Sequence, residues 1–225
     1  MHTGILMHIF VRLLTVLALV GTTMGAAERV RIACVGDSLT VGPFMTEPYP
    51  MALEKRLGAD KVEVRNFGAN GATMMKDGNG PYWMVNPFKE STEWKPQIVV
   101  LMLGTNDIQA ANLPKIAAYP TDAAAMVEHF INQPFKPRVI LMLPPTVLNP
   151  VVGITDENLV KYIIPVITAL ATKHHCTLVD LHSHIKDRAM YGEDGLHLNN
   201  VGYAKMAELV AAALATEDKA TQRRK

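Results

Sequence analysis

The chain is poor in serine and cysteine and has no excess of either charge. It contains three serines and two cysteines in 225 residues, so few residues of these two kinds could act as a nucleophile. Lys and Arg total 22 against 21 for Asp and Glu, a balance that argues against a nucleic-acid partner. Hydrophobic residues make up 49%, which excludes a disordered chain. This length predicts a single domain with a core that needs no disulfide or metal.

Long apolar runs are also lacking, apart from a short one near the N-terminus. Leu13–Val20 follows Arg12 and precedes small residues, which is the layout of a secretory signal peptide. The run is shorter than the about 20 residues that a membrane span needs. We therefore expect a cleaved signal peptide over 1–27, a folded domain over 28–215 and a charged tail over 216–225. The mature protein is expected to be secreted or periplasmic, without membrane contact; an uncleaved anchor is the alternative.

The two cysteines, Cys34 and Cys176, lie in or beside apolar runs of β-strand character. Buried free thiols are the expected state, since cysteine behaves as a small apolar residue in a core. A disulfide between them stays open as the alternative, because an oxidising compartment would permit one.

Short apolar runs alternate with helical stretches along the chain after residue 27. Strands are predicted over Val30–Val35, Val62–Asn66, Ile98–Leu103, Val139–Leu143 and Thr177–Leu181. Helices are predicted over Pro50–Leu57, Asp122–Asn132, Asp156–His175 with a kink at Pro165, and Val201–Ala215. Such alternation is typical of βαβ units. The expected fold is α/β: a single three-layer α/β/α domain around an open, mostly parallel five-stranded sheet.

Polar, glycine-containing segments come after four of the predicted strands. They are Gly36–Leu39, Asn66–Gly71, Gly104–Asp107 and, beyond a loop, Asp194–His197. Ligands of open α/β sheets bind at the carboxyl ends of the strands. We therefore expect these four segments to meet at one edge of the sheet and to form the functional site.

Ser38 is the serine best placed to act as a nucleophile, because it follows a strand directly at a glycine-containing turn. Acyl transfer needs such a nucleophile, a base, a group that orients the base, and donors for the oxyanion. Ser91 lies in a polar stretch and is expected at the surface, whereas Ser183 is a second candidate. The flanking His182 and His184 indicate zinc only weakly, because no further ligand cluster accompanies them.

His197 is the histidine best placed to act as the base. It lies three positions after Asp194, so a carboxylate of the same short segment can fix the tautomer of its ring. Asp37 and Asp107 also lie in the candidate segments, and we expect each to accept hydrogen bonds within its own turn.

The four segments resemble, in the same order, the conserved blocks of the SGNH (GDSL) hydrolases. The resemblance covers nearly the whole mature chain and implies the flavodoxin-like SGNH hydrolase fold. It implies a serine esterase that works through an acyl-enzyme and requires no cofactor or metal. Ser38, Asp194 and His197 match the catalytic triad of that family. The backbone N–H groups of Ser38 and Gly71 and the side-chain amide of Asn106 match its oxyanion hole.

A finer resemblance concerns the substrate. The stretches 67–73 and 81–83 are similar to those of carbohydrate O-acetylesterases and sialate O-acetylesterase-like domains. This similarity implies short-chain O-acetyl esters of carbohydrates as substrates, and Tyr82 and Trp83 are candidates for stacking on a sugar ring. The expected partner is therefore a small-molecule or carbohydrate ester.

Two other functions stay open on the same fold. One is a lysophospholipase or thioesterase with a longer acyl groove, which Met74, Met75 and Met84 could line. The other is a carbohydrate-binding protein without catalytic activity. The complete set of triad residues argues against this last alternative.

Overall fold

A parallel sheet of five strands forms the centre of the fold. The computed structural model describes residues 28–43 and 45–222, so the expected signal peptide lies outside the described residues. The strand order is β2-β1-β3-β4-β5, and every pairing is parallel. The strands are β1 (Val30–Gly36), β2 (Val62–Gly68), β3 (Ile98–Met102), β4 (Arg138–Leu143) and β5 (Thr177–Asp180).

Helices connect the strands and cover both faces of the sheet. They are α1 (Ser38–Val41), α2 (Tyr49–Leu57), α3 (Asn86–Glu93), α4 (Tyr119–Ile131), α5 (Asp156–Asn158), α6 (Ile164–Lys173), α7 (Leu181–His184) and α8 (Asn200–Gln222). Short 3₁₀ turns occupy Tyr82–Met84, Asn106–Ile108, Leu113–Ala118 and Arg188–Met190. None of the helices in the described part of the chain is long and apolar enough to cross a membrane.

Side chains that alternate along the strands divide the core into two layers. In β1, Ala33 and Val35 pack on the side that α4 and α6 cover. Ile32 and Cys34 point the opposite way and pack on the side that α2 and α8 cover. This alternation is the two-residue period of a strand buried on both faces. The structure confirms the predicted three-layer α/β/α fold with its parallel five-stranded sheet.

The long helix predicted over Asp156–His175 is divided into three parts. A π-helical turn over Leu159–Ile163 separates α5 from α6. Pro165 is the second residue of α6, directly after this turn, and its missing N–H cannot donate to the preceding helical turn. The irregularity expected at Pro165 therefore lies just before it. At the other end of the chain, α8 continues past the predicted helix end at Ala215.

The environments of Ser91 and of the two cysteines depend on how the helices pack on the sheet. Ser91 was expected at the surface, but it is fully buried on α3, where its hydroxyl donates to the carbonyl of Phe88 at 2.8 Å. That expectation is wrong because α3 packs this side of its polar sequence against the sheet. Both cysteines are free thiols, with Cys34 buried and Cys176 half-buried.

Candidate active site

The segments that follow the strands meet at the carboxyl edge of the sheet. The strand order places β1 beside β3, and the connections leave these two strands in opposite directions. Ligand sites of open α/β sheets form at such a switch point. A cavity of about 320 Å³ lies there, lined by Ser38, Leu39, Pro43, Asn70, Gly71, Thr105, Asn106, Gln109, Val151, Val152, Ile154, Leu196 and His197.

The turn that carries Ser38 begins at Gly36, where the end of β1 lies close to the end of β3. Ser38 is the first residue of α1 and follows Gly36 by two positions. A Cβ atom at Gly36 would collide with Thr40 Oγ1 and lie 2.6 Å from the carbonyl oxygen of Met102. Only a glycine fits this approach, so the turn brings the serine out at the edge of the sheet.

Two buried carboxyl groups support this edge. Asp37 accepts the N–H of Leu39 at 2.9 Å, which confirms its expected role within its own turn. Asp107 instead accepts the N–H groups of Met74 at 2.9 Å and Met75 at 2.7 Å, so its expected local role is wrong. Asp107 thereby joins the segment after β3 to the segment after β2. Burial raises the pKa of Asp37 to about 7 and that of Asp107 to about 6.

Ser38, His197 and Asp194 form one line of hydrogen bonds. Ser38 Oγ lies 2.9 Å from His197 Nε2, and His197 Nδ1 lies 2.6 Å from Asp194 Oδ2. Asp194 Oδ1 accepts the backbone N–H groups of Leu196 at 3.0 Å and His197 at 2.9 Å. Burial alone would raise the pKa of the Asp194 carboxyl, but these hydrogen bonds lower it below its usual value. An ionised Asp194 accepts a hydrogen bond from the N–H at Nδ1, so the unprotonated Nε2 faces Ser38 as an acceptor.

Gly71 and Asn106 border the same cavity from the neighbouring segments. Gly71 has φ +72°, and a Cβ atom there would meet no heavy atom within 4 Å, so its backbone is open to the cavity. The buried Asn106 side chain donates from Nδ2 to the carbonyl of Ala72 at 3.1 Å and accepts at Oδ1 from Gln109 Nε2 at 2.8 Å. An amide nitrogen carries two hydrogens, so Asn106 has a second N–H to offer a ligand.

The two aromatic residues expected to contact a sugar lie away from this cavity. Tyr82 is fully buried, and its hydroxyl donates to the carbonyl of Phe67 at 2.5 Å. Trp83 donates from Nε1 to the carbonyl of Met74 at 2.9 Å, and its ring packs 5.2 Å from that of Phe88. Neither side chain lines the cavity. The expected sugar contacts are therefore corrected: Tyr82 lies in the core, and the half-buried Trp83 packs against Phe88 and Lys76.

The apolar wall of the cavity also differs from the expectation for a long acyl groove. Met74 and Met75 are each 1% exposed and belong to the core, whereas Met84 is 82% exposed. The wall comes instead from the segment after β4, which contributes the side chains Val151, Val152 and Ile154. The site predicted from the sequence includes the segments after the other four strands and lacks this one. The rule that strand ends form the site would have included it.

The alternative nucleophile, Ser183, lies outside the cavity. Its hydroxyl donates to Asp180 Oδ2 at 2.6 Å, and its backbone N–H donates to Asp180 Oδ1 at 3.0 Å, so the pair caps α7. His182 Nε2 lies 3.0 Å from Asp156 Oδ1. Across the described residues, no group of three or more His, Cys, Asp or Glu is arranged to hold a metal ion.

Comparison with known sequences shows a family match over most of the chain. The model of the GDSL-like lipase/acylhydrolase family matches residues 34–205. An acetylxylan esterase from Xylanibacter ruminicola is 30% identical over 209 residues, a match that covers 83% of this chain and 43% of that protein. The chain thus spans less than half the length of this relative.

Comparison with solved structures shows the same architecture. A lipase/acylhydrolase from Enterococcus faecalis matches with a TM-score of 0.69 and 24% identity, over 84% of this chain and 96% of that one. A carbohydrate acetylesterase from Sinorhizobium meliloti matches with a TM-score of 0.68 and 20% identity, over 84% and 99%. At these identities the likeness concerns the fold.

Proposed function

The chain belongs to the GDSL-like lipase/acylhydrolase family, and on this basis we propose that it is a serine esterase for short-chain O-acetyl esters of carbohydrates. The observation that carries the proposal is the line of hydrogen bonds from Ser38 through His197 to Asp194. That line ends at a cavity which Gly71 and Asn106 also border. A nucleophile, a base, an orienting carboxylate and oxyanion donors therefore meet at one place, as acyl transfer requires.

In the first step Ser38 Oγ attacks the ester carbonyl, and His197 Nε2 takes the proton of the hydroxyl. The carboxylate of Asp194 stabilises the imidazolium ion and keeps the ring in place. His197 then gives the proton to the leaving alcohol, which departs and leaves an acyl group on Ser38. Water attacks this ester with His197 again as the base, and the acid is released.

The negative charge on the carbonyl oxygen is stabilised by donors from three segments. These are the backbone N–H of Ser38, the backbone N–H of Gly71 and the free N–H of the Asn106 side chain. Ser38 is the first residue of α1, so its N–H has no acceptor inside that helix. The donors are held by the fold before the substrate arrives, and such preorganised donors lower the barrier more than mobile ones.

The choice of substrate rests on the cavity and on the relatives. The cavity of about 320 Å³ is lined both by valine, isoleucine and leucine side chains and by amides and hydroxyls. A small apolar surface suits a methyl group, while the polar groups suit the hydroxyls of a sugar. The relative from Xylanibacter ruminicola is an acetylxylan esterase. The methionines that could have lined a longer groove lie elsewhere, which favours a short acyl group over a lysophospholipid chain.

A series of aryl esters from acetyl to octanoyl tests the acyl preference, and acetylated xylan oligosaccharides test the alcohol. We expect kcat/KM to fall as the acyl chain lengthens and acetate to be released from the oligosaccharides. A kcat/KM that rises towards octanoyl would favour a lysophospholipase or thioesterase instead. No hydrolysis of any ester, together with binding of the sugar, would support a carbohydrate-binding protein.

A further inference from the structure

Four side-chain amides form a closed ring of hydrogen bonds beside the cavity. Gln109 Nε2 donates to Asn106 Oδ1 at 2.8 Å, and Asn79 Nδ2 donates to Gln109 Oε1 at 2.9 Å. Asn112 Nδ2 donates to Asn79 Oδ1 at 2.9 Å and to the backbone carbonyl of Asn106 at 2.8 Å. The ring therefore begins and ends at Asn106, the residue whose amide borders the cavity.

Backbone groups fix the direction of every hydrogen bond in this ring. Asn112 Oδ1 accepts the backbone N–H of Asn79 at 3.0 Å, while its Nδ2 donates to the backbone carbonyl of Asn106. A backbone N–H can only donate and a carbonyl can only accept, so the amide of Asn112 cannot be reversed. Asn79 must then turn its oxygen to Asn112 and its nitrogen to Gln109. Gln109 in turn presents its nitrogen to Asn106 Oδ1.

The last amide in the ring is the one that would bind the oxyanion. With its oxygen held by Gln109, Asn106 turns Nδ2 towards the carbonyl of Ala72 and the cavity. The reversed amide would face the substrate with an oxygen, which would repel the charge. Ala72 also holds the nitrogen, so the side chain has two anchors, one at each end of its amide.

We infer that Gln109 is a positioning residue that aims the Asn106 amide at the oxyanion. The inference rests on the proposed function, since it needs an ester substrate whose carbonyl oxygen becomes charged. Without Gln109, the amide of Asn106 keeps only its hydrogen bond to the carbonyl of Ala72, so the side chain rotates over a wider range. A donor that is less well aimed stabilises the transition state less, while binding of the uncharged ester barely changes.

The test measures hydrolysis of 4-nitrophenyl acetate by two variants, Gln109→Met and Gln109→Glu. Methionine is similar in size to glutamine but makes neither the hydrogen bond to Asn106 nor the one to Asn79. We expect Gln109→Met to lower kcat by about tenfold, as for the loss of one hydrogen bond, and to leave KM within about twofold. The carboxylate in Gln109→Glu cannot donate to Asn106 Oδ1 and favours the reversed amide. Its kcat should therefore fall further, towards the loss of about a hundredfold that is typical when an oxyanion donor is removed.

A double-mutant cycle separates aiming from a general effect on the cavity. In the Asn106→Ala background the same two substitutions should change kcat by less than about twofold, because no amide is left to aim. Gln133→Met is the matched control, since Gln133 Nε2 donates to the carbonyl of His129 at 2.8 Å outside the cavity; its kcat should equal that of the wild type. Melting curves show that each variant is folded, and if Gln109→Met is not, Gln109→Glu carries the test.

If the wild type hydrolyses the ester, three results would contradict the role of Gln109 without contradicting the proposed function. These are an unchanged kcat in both Gln109 variants, a loss confined to KM, and an equal loss of kcat with and without Asn106. A wild type that hydrolyses none of the esters would overturn the proposed function itself.

Discussion

Ser38 Oγ and His197 Nε2 lie 2.9 Å apart, although 159 positions separate the two residues in the chain. Ser38 leaves the sheet next to its centre, whereas His197 belongs to a loop that comes after the edge strand β5. A β-bridge between Tyr191 and Leu198 closes this loop, and Gly192 N–H donates to the carbonyl of His197 at 2.8 Å. The base is thus held by its own loop, which brings it to the nucleophile at the end of β1.

This contact predicts that Ser38→Ala lowers kcat for ester hydrolysis by several orders of magnitude while the fold is kept. Triad members act as a unit, so His197→Ala should cost about as much and the double variant little more. Ser183→Ala is the matched control, because this serine also contacts a carboxylate and a histidine but lies outside the cavity. Steady-state kinetics should show it unchanged. Full activity in Ser38→Ala would remove Ser38 from the mechanism.

The role of Asn106 predicts a different kinetic effect. Because the charge on the carbonyl oxygen develops in the transition state, Asn106→Ala should lower kcat by about 10² to 10³ and change KM little. Steady-state kinetics alongside a melting curve measures this. If Asn106 only supported its turn, the variant would melt at a lower temperature and keep most of its kcat. That pattern would count against an oxyanion role.

A mechanism that uses only these side chains predicts that a chelator leaves hydrolysis unchanged. The rate should be the same before and after dialysis against EDTA. Loss of activity in the chelator, followed by recovery with zinc, would disprove the metal-free mechanism. His182 and Asp156, whose side chains lie 3.0 Å apart, would then be candidate zinc ligands.

The sheet and the candidate triad could be predicted from the sequence because both depend on local patterns. A buried parallel strand is a short apolar run, and a catalytic serine or histidine stands directly after a strand or in a short loop. The amide ring could not be predicted, since Asn79 and Asn112 are 33 positions apart and neither carries a local signal. Tyr82 shows the same limit: an aromatic side chain indicates packing but not whether its partner is a sugar or the core.

The raised pKa of Asp37 predicts how the stability of the fold depends on pH. It is fully buried, and burial raises its pKa from 3.8 to about 7. Between these two values the folded protein holds a proton that the unfolded chain has released, so folding is favoured by acid. This stabilisation is complete below about pH 4, where both states are protonated. It falls progressively as the pH rises from about 4, and it is lost once the pH has passed about 7. The change in pKa from 3.8 to about 7 corresponds to a loss of about 4 kcal/mol in the free energy of unfolding by neutral pH.

The variant Asp37→Asn tests this, because its amide keeps an oxygen for the N–H of Leu39 and carries no charge at any pH. We expect its free energy of unfolding, relative to that of the wild type, to rise between pH 4 and pH 8 by up to about 4 kcal/mol. Urea denaturation at each pH gives this difference. The exposed Asp60→Asn is the control, and its difference from the wild type should stay flat over the same range. If the curve for Asp37→Asn runs parallel to the wild-type curve throughout, Asp37 does not take up a proton in the folded protein.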